Sequence, residues 1–485
     1  GTGTIVGGTI SGNHASGNGG GVNVNNAVKV QDTIITGNTA GGSGGGLLQW
    51  NAGQAVAITG ATFSGNVALQ GGGAWVMGDT LVTGAAFQAN HISAGGTGLL
   101  AGAGLCLGCA SSPAAGPLTI ANSIFISNTL DSNGTGLAAG AGLYTNGAST
   151  VITGTQIIGN LSTSNNAAAS TRGAGIYALN GPLSVIDSKI QGNRANGAVG
   201  AMMTTAGGIE ADHLPLVSVR GSTFAGNQGW FGGGLSCNYV TKCVVQDTQF
   251  DGNQAGYGAG IDASSVEVRR SSFTNNTVVN EGAAVSAGGA LTLDRTRITN
   301  NKAGISAVWA SGALTLTNVL IADTAFTGSP AYAGDLKIGN AVWSNRSLKH
   351  VTIAAATLRS VAGILLDTNV ITAPLRIENT IVANHAIGVN AAAGLVLENY
   401  NLYGLNTTNI SGLHAGDVGM VYSDPRFVNP GKGDYHLQPG SPAINAGANL
   451  GITVDLDGNP RPALGGYDIG AYELMAHLWL PMLMR

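Results

Sequence analysis

Apolar and polar residues alternate along this chain in short runs, and each run ends on the same kind of corner. The clearest instances read "VAITGATFSGN", "LTIANSIFISN", "LSVIDSKIQGN", "VSVRGSTFAGN", "CVVQDTQFDGN" and "VEVRRSSFTNN". A period of two places every second side chain on one face of a strand, whereas a helix would need apolar positions three and four apart. The corner asparagine recurs at Asn13, Asn38, Asn66, Asn90, Asn128, Asn160, Asn193, Asn227, Asn253, Asn276 and Asn301, with a weaker echo at Asn384. Corners are no closer than about 23 residues, room for three short strands and three turns. The pattern predicts an all-β chain, a right-handed single-stranded parallel β-helix (solenoid) of about 14 coils with an irregular C-terminal cap. At ~4.8 Å per coil it would be a rod of about 65–70 Å.

The repeated phrase also assigns roles. Phe63, Phe87, Phe125, Phe224, Phe250 and Phe273 are expected to point inward and stack coil on coil. The asparagine three positions later, as at Asn66, Asn90, Asn128, Asn227 and Asn253, is expected to take left-handed backbone geometry. Its amide would bond the asparagine of the next coil. Glycine clusters such as Gly71–Gly73 supply positive φ at the sharp bend. All of these are scaffold roles.

The spacing from corner to glycine cluster separates two kinds of coil. It is short after Asn13, Asn38 and Asn66, roughly doubles after Asn90, Asn128, Asn160 and Asn193, and shortens again after Asn227 and Asn253. Stacking predicts one lateral lobe from residues 91–101, 129–139, 161–172 and 194–206, either a tolerated insertion or a contact surface. Just past each cluster an outward-facing column is expected, Asn23, Leu48, Trp75, Cys106, Tyr144, Tyr177, Glu210, Ser236 and Asp262. Trp75, Tyr144 and Tyr177 would form an aromatic stripe beside the lobe, open to sugar rings or a partner protein, or else buried beneath the long loops. Glu210 and Asp262, two coils apart at about 9–10 Å, are the one candidate carboxylate pair for glycoside or polysaccharide cleavage, near the ~6.5–9.5 Å of inverting enzymes. Asp212, His213, Arg269 and Arg270 are the nearest other charged groups.

Composition narrows the field. The 485 residues include 79 glycines but only 9 % charged residues, at a net charge of -4. The 13 prolines follow no G-X-Y period, which excludes collagen. With 44 % hydrophobic residues the chain can bury a core. No basic stripe exists to neutralise phosphates, so nucleic acid is not an expected partner. No stretch reaches the ~20 apolar residues of a membrane span, and no signal segment opens the chain, so a leader is expected upstream.

Two resemblances follow from quoted motifs. The pairing of "GGGL" or "GAGI" with "FxxN" over roughly 1–305 resembles the repeat of the chlamydial polymorphic membrane proteins, a family of surface adhesins. Those proteins end in an outer-membrane barrel for which this chain has no room. "SDPRFVNPGKGDYHLQPGSPAINAG" (423–447) and "DLDGNPRPALGGYDIGAYE" (455–473) are similar to the choice-of-anchor Q domain of bacterial surface proteins. The resemblance implies a secreted or cell-surface β-helix protein. The expected division is a repeat domain at 1–399, this C-terminal region at 400–473, and an apolar tail at 474–485 that is not a sortase signal.

The remaining motifs add little chemistry. Cys106 and Cys109 lie in one coil and Cys237 and Cys243 four coils on, about 19 Å away. The ~7 Å Cα limit then allows only local bridges, Cys106–Cys109 and Cys237–Cys243, and rules out a four-cysteine zinc site. "GGSGG" (41–45) matches a hydrolase serine elbow only because glycine is everywhere. "DLDGN" hints at calcium through Asp455 and Asp457 but lacks the later ligands; a turn with Arg461 paired to Asp468 or Glu473 is the plainer reading. No cofactor motif and no other metal-ligand spacing appears. Six Asn-x-Ser/Thr sequons stand at Asn133, Asn160, Asn275, Asn345, Asn406 and Asn409. An open first coil and the tail "HLWLPML" suggest stacking between copies. The expected function is structural: a secreted cell-surface protein that self-associates head to tail into a filament or sheath. The alternatives are an adhesin binding glycans or neighbouring surfaces, and a polysaccharide lyase or glycoside hydrolase.

Overall fold

In the computed structural model, residues 1–109, 115–197, 205–339, 345–367 and 373–475 are described. Most of the apolar tail therefore lies outside the described residues, as do residues 198–204 of the fourth lobe segment. The chain is all-β, with no α-helix among the described residues. It divides into two compact units, Gly1–Glu267 with Phe273–Gly288, and Val268–Ser272 with Gly289–Arg485.

In the first unit most strands are two to four residues long and pair in parallel with their counterparts one repeat further on. Val56–Thr59 pairs with Thr80–Thr83, Thr62–Ser64 with Ala86–Gln88, Val67–Ala68 with His91–Ala94 and Ala74–Val76 with Leu105–Leu107. This repeat thus has four strands where three were expected, and the repeats with the longer corner spacing starting at Thr80, Leu118 and Thr150 have five. Gly60, at φ 62°, takes left-handed backbone and breaks what reads as one alternating run into Val56–Thr59 and Thr62–Ser64. Alternation resumes after the break with its phase shifted by one residue, so that Val56, Ile58, Ala61 and Phe63 are all buried.

Two stacks hold the register. Phe63, Phe87 and Phe125 lie face to face with ring centroids 4.8 Å apart. Phe224, Phe250 and Phe273 do the same at 4.8 and 4.7 Å. Ile157 and Ile190 continue the column between the two groups. At the corner, each asparagine donates its backbone N–H and its Nδ2 to the Oδ1 of the next, from Asn13 through Asn276. The left-handed geometry expected of these asparagines belongs instead to the residue before each, such as Gly65, Ala89 and Ser127. The turn is made there, and the asparagine is left free to aim its amide along the stack. Asn160 sits inside this ladder fully buried, so that sequon is closed to glycosylation.

The lobe is built from strands of two parallel sheets. After the corner, His91–Ala94, Thr129–Ser132, Leu161–Ser164 and Arg194–Asn196 run in one parallel ladder. Leu100–Ala101, Leu137–Ala139 and Ser170–Arg172 form a second, three-stranded one. Ile92, Leu100, Leu130 and Ala138 close a small core of their own between them.

The second unit uses longer parallel strands, including Leu314–Ala322, Arg346–Leu366, Ile381–Asn399 and Thr408–Val418. Parallel pairing continues past residue 399 to Val421–Tyr422. The segment beyond folds onto the sheet, with Phe427, Tyr435, Leu437, Ile469 and Tyr472 packed against Leu320, Ala354, Ile381 and Leu402.

Candidate functional site

The strand that follows each glycine cluster brings the column together in the order the sequence suggests. Leu48, Trp75, Cys106, Tyr144, Tyr177, Glu210, Ser236 and Asp262 are successive partners in one parallel register. Of the two readings left open for its aromatic residues, an open stripe or burial, the structure shows burial. Trp75, Tyr144 and Tyr177 are only 3, 4 and 3 % exposed, so they form no open stripe. The glycine bend folds the incoming chain back over the outward face. A Cβ on Gly140 would lie 2.9 Å from the Tyr144 Cα, and one on Gly173 would lie 3.0 Å from the Tyr177 Cα. Trp75 is further shielded by Trp50, whose ring centroid is 5.6 Å away.

Where the lobe meets this column, the structure assembles charge. Arg172, at the end of a lobe strand, reaches Asp212 Oδ2 at 2.9 Å and Glu210 Oε1 at 3.5 Å. The Tyr177 hydroxyl donates to Asp212 Oδ2 at 3.1 Å, and the Thr205 hydroxyl donates to Glu210 Oε2. His213 Nδ1 lies 2.7 Å from Asp212 Oδ1, and its ring stacks on exposed Tyr239 with centroids 5.2 Å apart. Burial pushes the Glu210 carboxyl up to about 7, against the pull of Arg172 and the Thr205 hydrogen bond. Burial, with the nearby Glu210 charge, raises Tyr177 as well.

Asp262 stands apart from that cluster. Ser236 separates it from Glu210 along the register, and its carboxylate accepts from Asn238 Nδ2 at 3.1 Å. Burial raises its pKa too. Both acids are enclosed and bonded to different neighbours. Arg172 and Thr205 were not singled out by sequence reasoning, although Arg172 is the one charge in "LSTSNNAAASTR" (161–172). Arg269 and Arg270 are exposed.

Both cysteine pairs are bridged within their own repeats, with Cα atoms 5.9 Å apart for Cys106–Cys109 and 6.5 Å for Cys237–Cys243. In the second unit, Asp455 is consumed by a turn, accepting from the backbone N–H of Asp457, Asn459 and Glu473. Asp457 points elsewhere, to Arg297 and to His436 Nε2 at 2.8 Å. The two carboxylates hinted at for calcium thus serve different partners, and no group of three metal-ligating side chains occurs among the described residues. Arg461 is buried against Glu473 at 2.6 Å and donates to the Asp468 and Gly470 carbonyls. Asp455, Asn459, Arg461 and Glu473 are therefore bonded within the 455–473 motif as a structural knot, while Asp457 leaves it for Arg297 and His436.

No family model matches this sequence, and no curated protein matches it. Among the described residues no helix is long and apolar enough to cross a membrane.

Proposed function

We propose that the chain is a right-handed single-stranded parallel β-helix of about 14 coils, closed by an irregular C-terminal cap, acting as a secreted structural protein of a bacterial cell surface. Kinship with the polymorphic-membrane-protein repeat and the choice-of-anchor Q region is part of the proposal and rests on the quoted motifs. The observation that carries it is the corner ladder. Each asparagine presents donors to one side and accepts on the other, so any coil is complementary to the next. The same directionality suits head-to-tail stacking between copies, and a chain with 9 % charged residues opposes that stacking weakly. Two disulfides fit an oxidising, extracellular setting. Electron microscopy and sedimentation of the full chain test it. Filaments or end-to-end oligomers are expected; monomers alone across the accessible concentration range would refute self-assembly.

A second reading, an adhesin for glycans, is favoured by exposed aromatic rings on the first unit, Trp230 and Tyr239 among them. Catalysis is not proposed, because Glu210 and Asp262 are enclosed and separately bonded.

A further inference from the structure

We propose that Trp230, Phe231 and Tyr257 form a binding platform for a neutral glycan. The inference rests on the adhesin reading but places the site where no sequence pattern put it. The three rings sit on the corner segments of two adjacent repeats, just past the last lobe strand, where the spacing shortens again. Phe231 and Tyr257 are bridge partners in parallel register. Their rings lie nearly parallel, 5.5 Å between centroids and 11° between planes. Trp230 stands across Tyr257 at 79° with centroids 6.4 Å apart, which closes one side of an L-shaped seat.

The seat for the indole is specific. A Cβ on Gly256 would fall 2.6–2.9 Å from Trp230 Cδ2, Cε2 and Cε3, so one face of the ring lies flat on the glycine backbone. Trp230 is nevertheless 43 % exposed. The backbone is fixed as well, since the Trp230 carbonyl accepts from the N–H of both Gly256 and Tyr257 at 2.9 Å. A large apolar ring held open to water by its own backbone contrasts with the phenylalanine stack and with Trp75, which the same fold buries.

The surroundings choose the ligand. Gln228 and Gln254 lie in the bridge ladder beside the rings, and Arg194 forks its Nε and Nη2 onto Gln228 Oε1. Arg194, the nearest cation on that ladder, is held in place by this fork on a neutral amide. Flat aromatic faces flanked by side-chain amides match a pyranose ring, with its apolar C–H face and equatorial hydroxyls.

The test is titration of the full chain with cellopentaose and mannopentaose, with oligogalacturonate as the charged contrast, followed by tryptophan fluorescence and calorimetry. Binding of a neutral oligosaccharide is expected, weakened about tenfold or more by Trp230→Ala and by Tyr257→Ala and largely kept by Trp230→Tyr. Trp50→Ala, which removes another exposed indole, should leave it unchanged. Neutral-glycan binding that survives Trp230→Ala and Tyr257→Ala would overturn the platform and leave the adhesin reading standing. Binding confined to oligogalacturonate would also overturn it. No binding to any oligosaccharide, on these probes or a broad glycan array, would overturn both.

Discussion

Removing one rung of the asparagine ladder is expected to destabilise the first unit far more in its middle than at its edge. Asn128 is fully buried. Its Oδ1 accepts from Asn90 N at 3.1 Å and Asn90 Nδ2 at 3.0 Å. Its Nδ2 donates to the Phe87 carbonyl and to Asn160 Oδ1, both at 2.9 Å. Asn128→Ala deletes all four bonds and strands the backbone N–H and one amide hydrogen of Asn90 in the interior. Each buried donor left without a partner costs about 1–3 kcal/mol, so the expected loss is about 3–5 kcal/mol. Asn128→Asp keeps the acceptor but sets a carboxylate against the Phe87 carbonyl and Asn160 Oδ1, and should be at least as damaging. Asn13→Ala is the control. Asn13 is exposed and donates to Asn38 Oδ1; its loss strands no buried donor and should cost no more than about 1 kcal/mol. Urea titration followed by circular dichroism, with the fluorescence transition recorded separately for the two units, measures the differences. If Asn128→Ala falls within about 1 kcal/mol of wild type, or Asn13→Ala costs as much, the ladder is not what holds the repeats in register.

Two further outcomes follow from the column beneath the lobe. Glu210 keeps its proton to about pH 7 in the fold, against an ordinary 4.5. The unfolded chain therefore releases a proton that the folded chain retains, and stability falls as pH rises from about 4.5 to 7, by about 3 kcal/mol, then levels off. Glu210→Gln should flatten that part of the stability profile, and parallel profiles for the two proteins would show that Glu210 does not hold the proton. Trp75 is buried with its Nε1 lacking a hydrogen-bond partner. Trp75→Ala should cost about 3–5 kcal/mol, while Trp75→Phe, which removes the stranded N–H, should cost little. A Trp75→Ala protein melting like wild type would instead mean that this ring faces solvent.

The alternation in "VAITGATFSGN" and its relatives determines strands, and the shared corner determines that they stack. Phe63, Phe87 and Phe125 must meet once strands pair one repeat apart, because a period of two admits a single inward face. Cysteine spacing likewise confined both bridges to their own repeats. The limits of that reasoning are equally physical. Alternation says which face Trp75, Tyr144 and Tyr177 occupy but not what covers that face. The answer lay in how tightly the glycine bend folds the incoming chain back and, at Trp75, in the neighbouring Trp50 ring. Arg172 joins Glu210 and Asp212 from 38 and 40 residues away, and Asp457 finds Arg297 across 160. No local pattern encodes such pairings. The sequence alone determined a ladder of parallel strands with apolar and asparagine stacks, since those depend on local period and repetition. Only the tertiary structure decided which outward residues are sealed, which acids share a cation, and where aromatic rings such as Trp230 remain open to water, because each depends on chain that arrives from elsewhere.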